Sequence, residues 1–69
     1  MTSYKTADGL HGANIMQNGD GGSYMAFATQ DNGNGGMEYW YTIGSYKAES
    51  TATKYAARSL AQHGYTLKA

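Results

Sequence analysis

The chain has 69 residues, no Cys and a formal net charge of zero, from five basic and five acidic side chains. This length allows one small domain, which buries only about 60% of the surface that its unfolded chain exposes. The lack of Cys excludes disulfides and thiolate metal sites. The balanced charge removes the simplest argument for nucleic-acid binding, which is a basic excess.

The charges are separated along the chain. No Lys or Arg occurs between Lys5 and Lys47, where four of the five acidic residues fall: Asp8, Asp20, Asp31 and Glu38. The C-terminal third is mildly basic. The N-terminal letters MTSYKTADGLHG lack the hydrophobic core of a secretory signal, and no apolar run reaches the ~20 residues of a membrane span. We therefore expect an intracellular protein that does not contact a membrane.

Two Gly-rich pentads, NGDGG at 18–22 and NGNGG at 32–36, divide the first two thirds of the chain. Asn-Gly is a strong hairpin signal, because both central positions of a type I′ turn need positive φ. Segments with strand character flank the pentads, at about 13–17, 23–30 and 37–46. The sequence predicts three strands in an antiparallel meander.

A helix is predicted over about 50–63, where small and apolar residues recur at i, i+3 and i+4. Ser50 is the candidate N-cap, with Ser45 and Ala48 as earlier starts, and Gly64 fits the left-handed position that ends helices. The expected fold is α+β, a three-stranded antiparallel β-meander packed against one C-terminal helix in a single domain, 1–69. Two points stay open: whether 65–67 adds a short fourth strand, and whether 1–11 is a flexible N-terminal segment.

Simple alternation assigns the faces of the third strand. The face under the helix would then carry the core, drawn from Tyr39, Tyr41, Ile43, Met25 or Phe27, Tyr55 and Leu60. Trp40 would lie on the open face or at its edge, where a large aromatic side chain marks a contact surface. The alternative is that Trp40 packs under the N-terminal segment near Leu10.

The pentads do not match known ion-binding loops. An EF-hand needs oxygen ligands at its fifth position and Glu at its twelfth, whereas a loop starting at Asn18 offers Gly22 and Thr29 there. A phosphate loop precedes a helix N-terminus, but each pentad precedes a strand. We therefore interpret both pentads as turns.

Catalytic and metal-binding patterns are also missing from the sequence. His11 and His63 lack a neighbouring Cys or a carboxylate cluster, so they predict no metal site. His63, in the last helical turn, is interpreted as a partner of the helix dipole. Neither a nucleophile elbow nor paired carboxylates occur. The sequence predicts no enzyme activity and no cofactor.

The segment YTIGSY at 41–46, followed by Ala52, Ala56 and Ala57, resembles the end of AP2-type and phage-integrase N-terminal domains. The resemblance implies a three-stranded sheet backed by one C-terminal helix. The Ala spacing is also similar to that of the last helix of double-stranded-RNA-binding domains. AP2-type sheets bind DNA through Arg and Lys, which the three predicted strands lack. Only the fold is therefore carried over.

By its profile alone, the chain also resembles the anti-CRISPR proteins, small phage-encoded inhibitors of bacterial defence. That resemblance implies a stoichiometric inhibitor, in the cytoplasm of a bacterial host cell, of a larger host protein or ribonucleoprotein complex. Our leading hypothesis is accordingly a non-catalytic protein-binding module. Its predicted partner-binding residues are Trp40, Glu38, Asp20, Asp31 and Tyr24.

Two further hypotheses stay open. A small DNA- or RNA-binding sheet-plus-helix domain would use Lys47, Lys54 and Arg58. A self-associating interaction protein, for example a homodimer, would use an edge strand or the face that carries Trp40.

Overall fold

A computed structural model describes residues 1–19 and 21–68. The fold is α+β, with a four-stranded antiparallel sheet in the order β1-β2-β3-β4 and one C-terminal helix packed on β2, β3 and β4. The elements are β1 (Thr2–Lys5), β2 (His11–Gln17), β3 (Tyr24–Asp31), β4 (Met37–Tyr46) and α1 (Glu49–Gln62).

Both pentads join antiparallel neighbours, so their interpretation as hairpin turns is confirmed. The Asn18 N–H donates to Ser23 O at 2.9 Å, and the Asn32 N–H donates to Gly36 O at 3.0 Å. The type I′ expectation is wrong, however, because no Asn in the described part of the chain has positive φ. Glycines at 21, 33 and 35 supply the positive φ instead, within longer loops.

The fourth strand is at the opposite end of the chain from the one that the sequence left open. β1 pairs with β2, with Thr2 opposite Ile15 and Lys5 opposite Gly12. The segment after the helix makes only one bridge, between Thr6 and Leu67. The sequence analysis missed β1 because its letters, TSYK, carry little apolar signal. An edge strand pairs with a neighbour on one side only, so it can form without a strongly apolar sequence.

The helix begins at Glu49 after Ala48, whose side chain provides no cap. Ser50 as the N-cap is therefore wrong; the N-cap is Ala48, one of the earlier positions that the sequence left open. At the other end, Gly64 has φ +89, as predicted. The Gly64 N–H donates to Ala61 O and the Tyr65 N–H donates to Leu60 O, both at 3.0 Å. This pair of bonds is the Schellman motif.

Two β-bulges in β4 change the facing of its side chains. Ala28 is opposite Tyr41 and Thr29 is opposite Tyr39, so Trp40 is an extra residue without an opposite partner. A second register shift leaves Ile43 unpaired between Thr42 and Gly44. A bulge reverses the alternation that follows it. Trp40, Tyr41 and Ile43 therefore all lie on the helix side.

The buried core is made mostly of small side chains: Ala13, Ile15, Ala26, Ala28, Ala52, Ala56 and Leu60. Tyr41 and Ile43 pack against this core, as predicted. Tyr39 was wrongly assigned to the core, because the first bulge places it on the other face with 60% of its surface exposed. The same assignment is wrong for the following residues: Met25 (37% exposed), Tyr55 (38% exposed) and Phe27, which shares the face of Tyr39.

Candidate functional site

An aromatic cluster surrounds Trp40 on the helix side of the sheet; we call it the Trp40 cluster, and its members are His11, Trp40, Tyr41, His63 and Tyr65. The Trp40 ring centroid lies 5.0 Å from the centroids of both His11 and His63, and 4.9 Å from that of Tyr41. Trp40 is half-buried and packs against the core. Its expected place on the open face is wrong, because the bulge turns it toward the helix. It packs against His11, the residue after Leu10, and Leu10 itself is 52% exposed.

Polar contacts fix one side of the Trp40 cluster. The Tyr41 hydroxyl lies 2.7 Å from Ser59 Oγ and 3.3 Å from His63 Nδ1. His63 Nδ1 is also 3.1 Å from the Ser59 carbonyl oxygen, so its N–H can donate to the last turn of the helix. Among the described residues, the buried Nδ1 of His11 has no hydrogen-bond partner. Within 1–19 and 21–68, no group of three or more His, Asp or Glu residues could hold a metal ion.

The predicted partner-binding residues do not form one surface. Glu38 and Asp31 are exposed near the β3–β4 turn, at the same end of the sheet as Trp40. Glu38 accepts a hydrogen bond from Gln30 Nε2 at 3.3 Å, and Asp31 Oδ2 accepts one from the Gly33 N–H at 3.0 Å. Tyr24 is half-buried at the opposite end of β3, and Asp20 lies outside the described residues. Their role in partner binding stays a prediction.

The basic residues predicted for the nucleic-acid alternative are exposed: Lys47, Lys54 and Arg58. The Arg58 guanidinium lies over the Tyr55 ring, 5.3 Å from its centroid. Tyr55 in turn stacks on Tyr46, with centroids 5.0 Å apart and 3° between the ring planes. Arg58 is thus held against an aromatic pair at the β4 edge of the helix.

The face of the sheet opposite the helix has no covering element among the described residues; we call it the uncovered face. Its residues, by strand register, are Ser3, Lys5, Gly12, Asn14, Met16, Met25, Phe27, Thr29, Asp31, Met37, Tyr39, Thr42 and Ser45. Met16 and Met25 are directly opposite each other and are 42% and 37% exposed. The Phe27 and Tyr39 rings are neighbours, with their centroids 6.2 Å apart. Large apolar side chains therefore occupy the face that water reaches.

Gly12 brings neighbouring parts of the sheet close together at the end of the uncovered face where β2 begins. A Cβ built at Gly12 would lie 2.3 Å from the Tyr4 carbonyl oxygen and 3.0 Å from Thr29 Oγ1. Gly12 therefore lets β1 and Thr29 approach closely, and Thr29 is only 5% exposed. The same Cβ would lie 3.4 Å from the Met37 methyl group, so that side chain lies above the glycine.

Sequence reasoning missed the uncovered face, although one signal for it is present. In SYMAFATQ the larger Met25 and Phe27 alternate with Ala26 and Ala28. A helix approaches a sheet closely over small residues, and both Ala are fully buried beneath it. The larger alternate residues must then stand on the other face.

Comparisons of the chain with protein-family models, with curated proteins and with solved structures found no match. The resemblances to AP2-type, phage-integrase and anti-CRISPR proteins stay predictions. The helix in the described part of the chain is neither long nor apolar enough to cross a membrane.

Proposed function

We propose that this chain is a small non-catalytic protein-binding module whose contact surface is the uncovered face of the sheet. One observation carries the proposal: Met16, Met25, Phe27, Met37 and Tyr39 share a sheet face that no described element covers. Burying apolar surface of this kind contributes roughly 25 cal/mol per Å².

The composition of this face favours protein over nucleic acid. Aromatic residues and Met are enriched in protein interfaces, and Met adapts its shape to a partner surface. Nucleic-acid binding requires several cations to replace the counterions of the phosphates. Within the described strands, the charged residues on this face are Lys5 and Asp31, which carry opposite charges.

A more specific role is the one that the sequence profile suggests, a phage-type stoichiometric inhibitor of a host nucleic-acid-handling defence complex. It rests on the small size of the chain and on its lack of Cys and of catalytic motifs. In that role, Asp31 and Glu38 would meet basic residues of the partner, and Trp40 would anchor the contact. Glu38 and Trp40 lie on the helix side and Asp31 on the uncovered face, so Glu38 is the acidic residue that distinguishes this role from a contact through the uncovered face.

The test is an affinity capture from bacterial lysate, with and without nuclease, using three forms of the tagged protein. Met25→Lys places a charge on the uncovered face, and Ala61→Lys places the same charge at an exposed helix position. After nuclease treatment, we expect the wild type and Ala61→Lys to capture the same proteins. Met25→Lys should fail to capture them.

Other outcomes would contradict the proposal. If Met25→Lys captures the same proteins as the wild type, while Glu38→Lys loses them, the contact is on the helix side at the turn end of the sheet. Capture that disappears with nuclease and with Lys54→Ala or Arg58→Ala would instead indicate a nucleic-acid-binding domain.

A further inference from the structure

We propose that the uncovered face binds the same face of a second copy of this chain, forming a symmetric homodimer of two sheets packed face to face. The inference rests on the proposed function, because it names the partner of the same surface. Charge, shape and area each support a second copy as the occupant.

Charge complementarity is the first argument. Lys5 lies at the β1 edge of the uncovered face and Asp31 at the turn end of β3, so the face carries one charge of each sign. A strongly acidic or basic partner would find too few opposite charges here, because complementary interfaces match positive with negative potential. A second copy presents an equally neutral and apolar face.

The arrangement of side chains also suits twofold symmetry. In a symmetric dimer both copies use the same patch, so that patch must be complementary to itself. Phe27 and the Met16–Met25 pair lie on the two middle strands, while Ser3, Thr42 and Ser45 lie on the edge strands. Met37 and Tyr39 extend the apolar side chains onto the edge strand β4, so those of β2, β3 and β4 would meet their own copies, with hydroxyl groups beside them.

The area of the face sets the expected strength. Four strands about 4.8 Å apart, with a mean length of roughly 25 Å, give a flat area of roughly 500 Å² per copy. Stable complexes commonly bury about 800 Å² per partner. Nearly the whole face would therefore be used, and we expect a weak dimer with a dissociation constant on the order of micromolar.

The thin core of the monomer gives a reason for the dimer. Ile15 and Leu60 are the largest fully buried side chains among the described residues. A dimer would bury Phe27, Met16 and Met25 as well, which adds a second apolar layer on the far side of the sheet. Folding stability would then rise with protein concentration, because the dimer forms from folded chains only.

Sedimentation equilibrium between about 1 μM and about 1 mM covers the expected range of dissociation constants. We expect the wild type and Ala61→Lys to change from monomer to dimer, and Met25→Lys to stay monomeric. Circular dichroism of each variant checks that it is folded.

A second measurement uses the lack of Cys in the chain. Ser45→Cys is on the uncovered face opposite Met25, and Ser50→Cys is an exposed matched control on the helix. At a chain concentration about ten times the dissociation constant, roughly a fifth of the chains stay monomeric, so we expect the thiol of Ser45→Cys to react roughly fivefold more slowly than in dilute solution. The Ser50→Cys thiol should react at the same rate at both concentrations.

Two results would overturn the homodimer. One is a wild type that stays monomeric up to the highest concentration. If that monomer still captures foreign proteins that Met25→Lys loses, the proposed function stands and only the homodimer is wrong. The other is a dimer that Met25→Lys retains, with equal thiol rates for both Cys variants, because that dimer would use a different surface. Should Met25→Lys fail to fold, the thiol rates of the two Cys variants decide alone.

Discussion

The rings of His11 and Tyr65 stack with their centroids 3.8 Å apart and 24° between their planes. This contact joins the start of β2 to the segment that follows the helix, beside Trp40. The stacked imidazole also carries a buried Nδ1 that has no partner among the described residues. The same side chain therefore combines a stabilising ring contact with an unpaired polar atom.

Replacing this imidazole separates the two effects. We expect His11→Phe to raise the free energy of unfolding by about 1 kcal/mol, because Phe keeps the stack and removes the unpaired nitrogen. His11→Ala should lower it by about 2 kcal/mol, since the ring contacts with Tyr65 and Trp40 are lost. Urea denaturation measures both values. A His11→Phe variant less stable than wild type would mean that Nδ1 does have a partner in solution.

Local chemistry made part of the fold predictable from the sequence. Asn-Gly pairs and clustered Gly indicated where the hairpins turn, and Gly64 indicated where the helix ends. These features depend on the φ preference of one or two residues, so they can be read without knowing the tertiary structure.

The facing of β4 could not be read in the same way. Simple alternation assumes that successive residues in a strand always point to opposite faces. An extra residue such as Trp40 breaks this rule, so counting from the residues before it assigns the residues after it to the wrong face. Gly44, inside a strand, was an available sign of a bulge but does not say which residue is extra. The predicted core of β4 was therefore right for two of its three residues, with Tyr41 and Ile43 inside and Tyr39 outside.

Gly12 should be among the least replaceable residues in the sheet. The Cβ of Ala at this position would lie 2.3 Å from the Tyr4 carbonyl oxygen, so β1 would have to move. We expect Gly12→Ala to lower the free energy of unfolding by about 2 kcal/mol or more. Gly19→Ala is the control, because a Cβ there meets nothing within 4 Å. Equal stability of the two variants in thermal denaturation would contradict the close approach of β1.

The Asp8 carboxylate should make stability depend on pH in the acidic range. Its pKa is held below the ordinary value of 3.8 by hydrogen bonds that its Oδ1 accepts, first from the Thr6 hydroxyl and then from the Leu10 N–H. A carboxyl with a lowered folded-state pKa stabilises the fold above its unfolded pKa, and this contribution is lost as pH falls through the folded pKa. The loss should therefore occur below about pH 4.

Two variants test the contribution of Asp8. Asp8→Asn should be less stable than wild type near about pH 7 and should differ less from it at strongly acidic pH. Thr6→Val removes the hydroxyl donor, so it should return the pKa of Asp8 toward its ordinary value. Thermal denaturation against pH and NMR titration of the carboxyl carbon measure these effects. A wild-type Asp8 that titrates at or above its ordinary pKa would exclude this interpretation.

Leu60 should contribute more to stability than any Ala in the core, because it is a large side chain with no exposed surface. We expect Leu60→Ala to lower the free energy of unfolding by about 2–5 kcal/mol. A domain of this size has only roughly 3–10 kcal/mol in total, so the variant should be partly unfolded at room temperature. Leu10→Ala, at a 52% exposed position, should cost less than about 1 kcal/mol. Chemical denaturation followed by circular dichroism compares the two, and similar costs would contradict the assigned core.

Trp40 offers a test of whether a residue in this fold acts through stability or through contact with a partner. Its ring packs between His11 and His63 on the helix side, so Trp40→Ala should lower the free energy of unfolding by about 2 kcal/mol. Trp40→Phe should recover most of that loss, because the smaller ring keeps the aromatic contacts. If Trp40 is mainly structural, Trp40→Phe binds every captured protein as the wild type does. A folded Trp40→Phe variant that loses those proteins would instead make Trp40 a contact residue, since only the exposed part of the indole would then explain the loss.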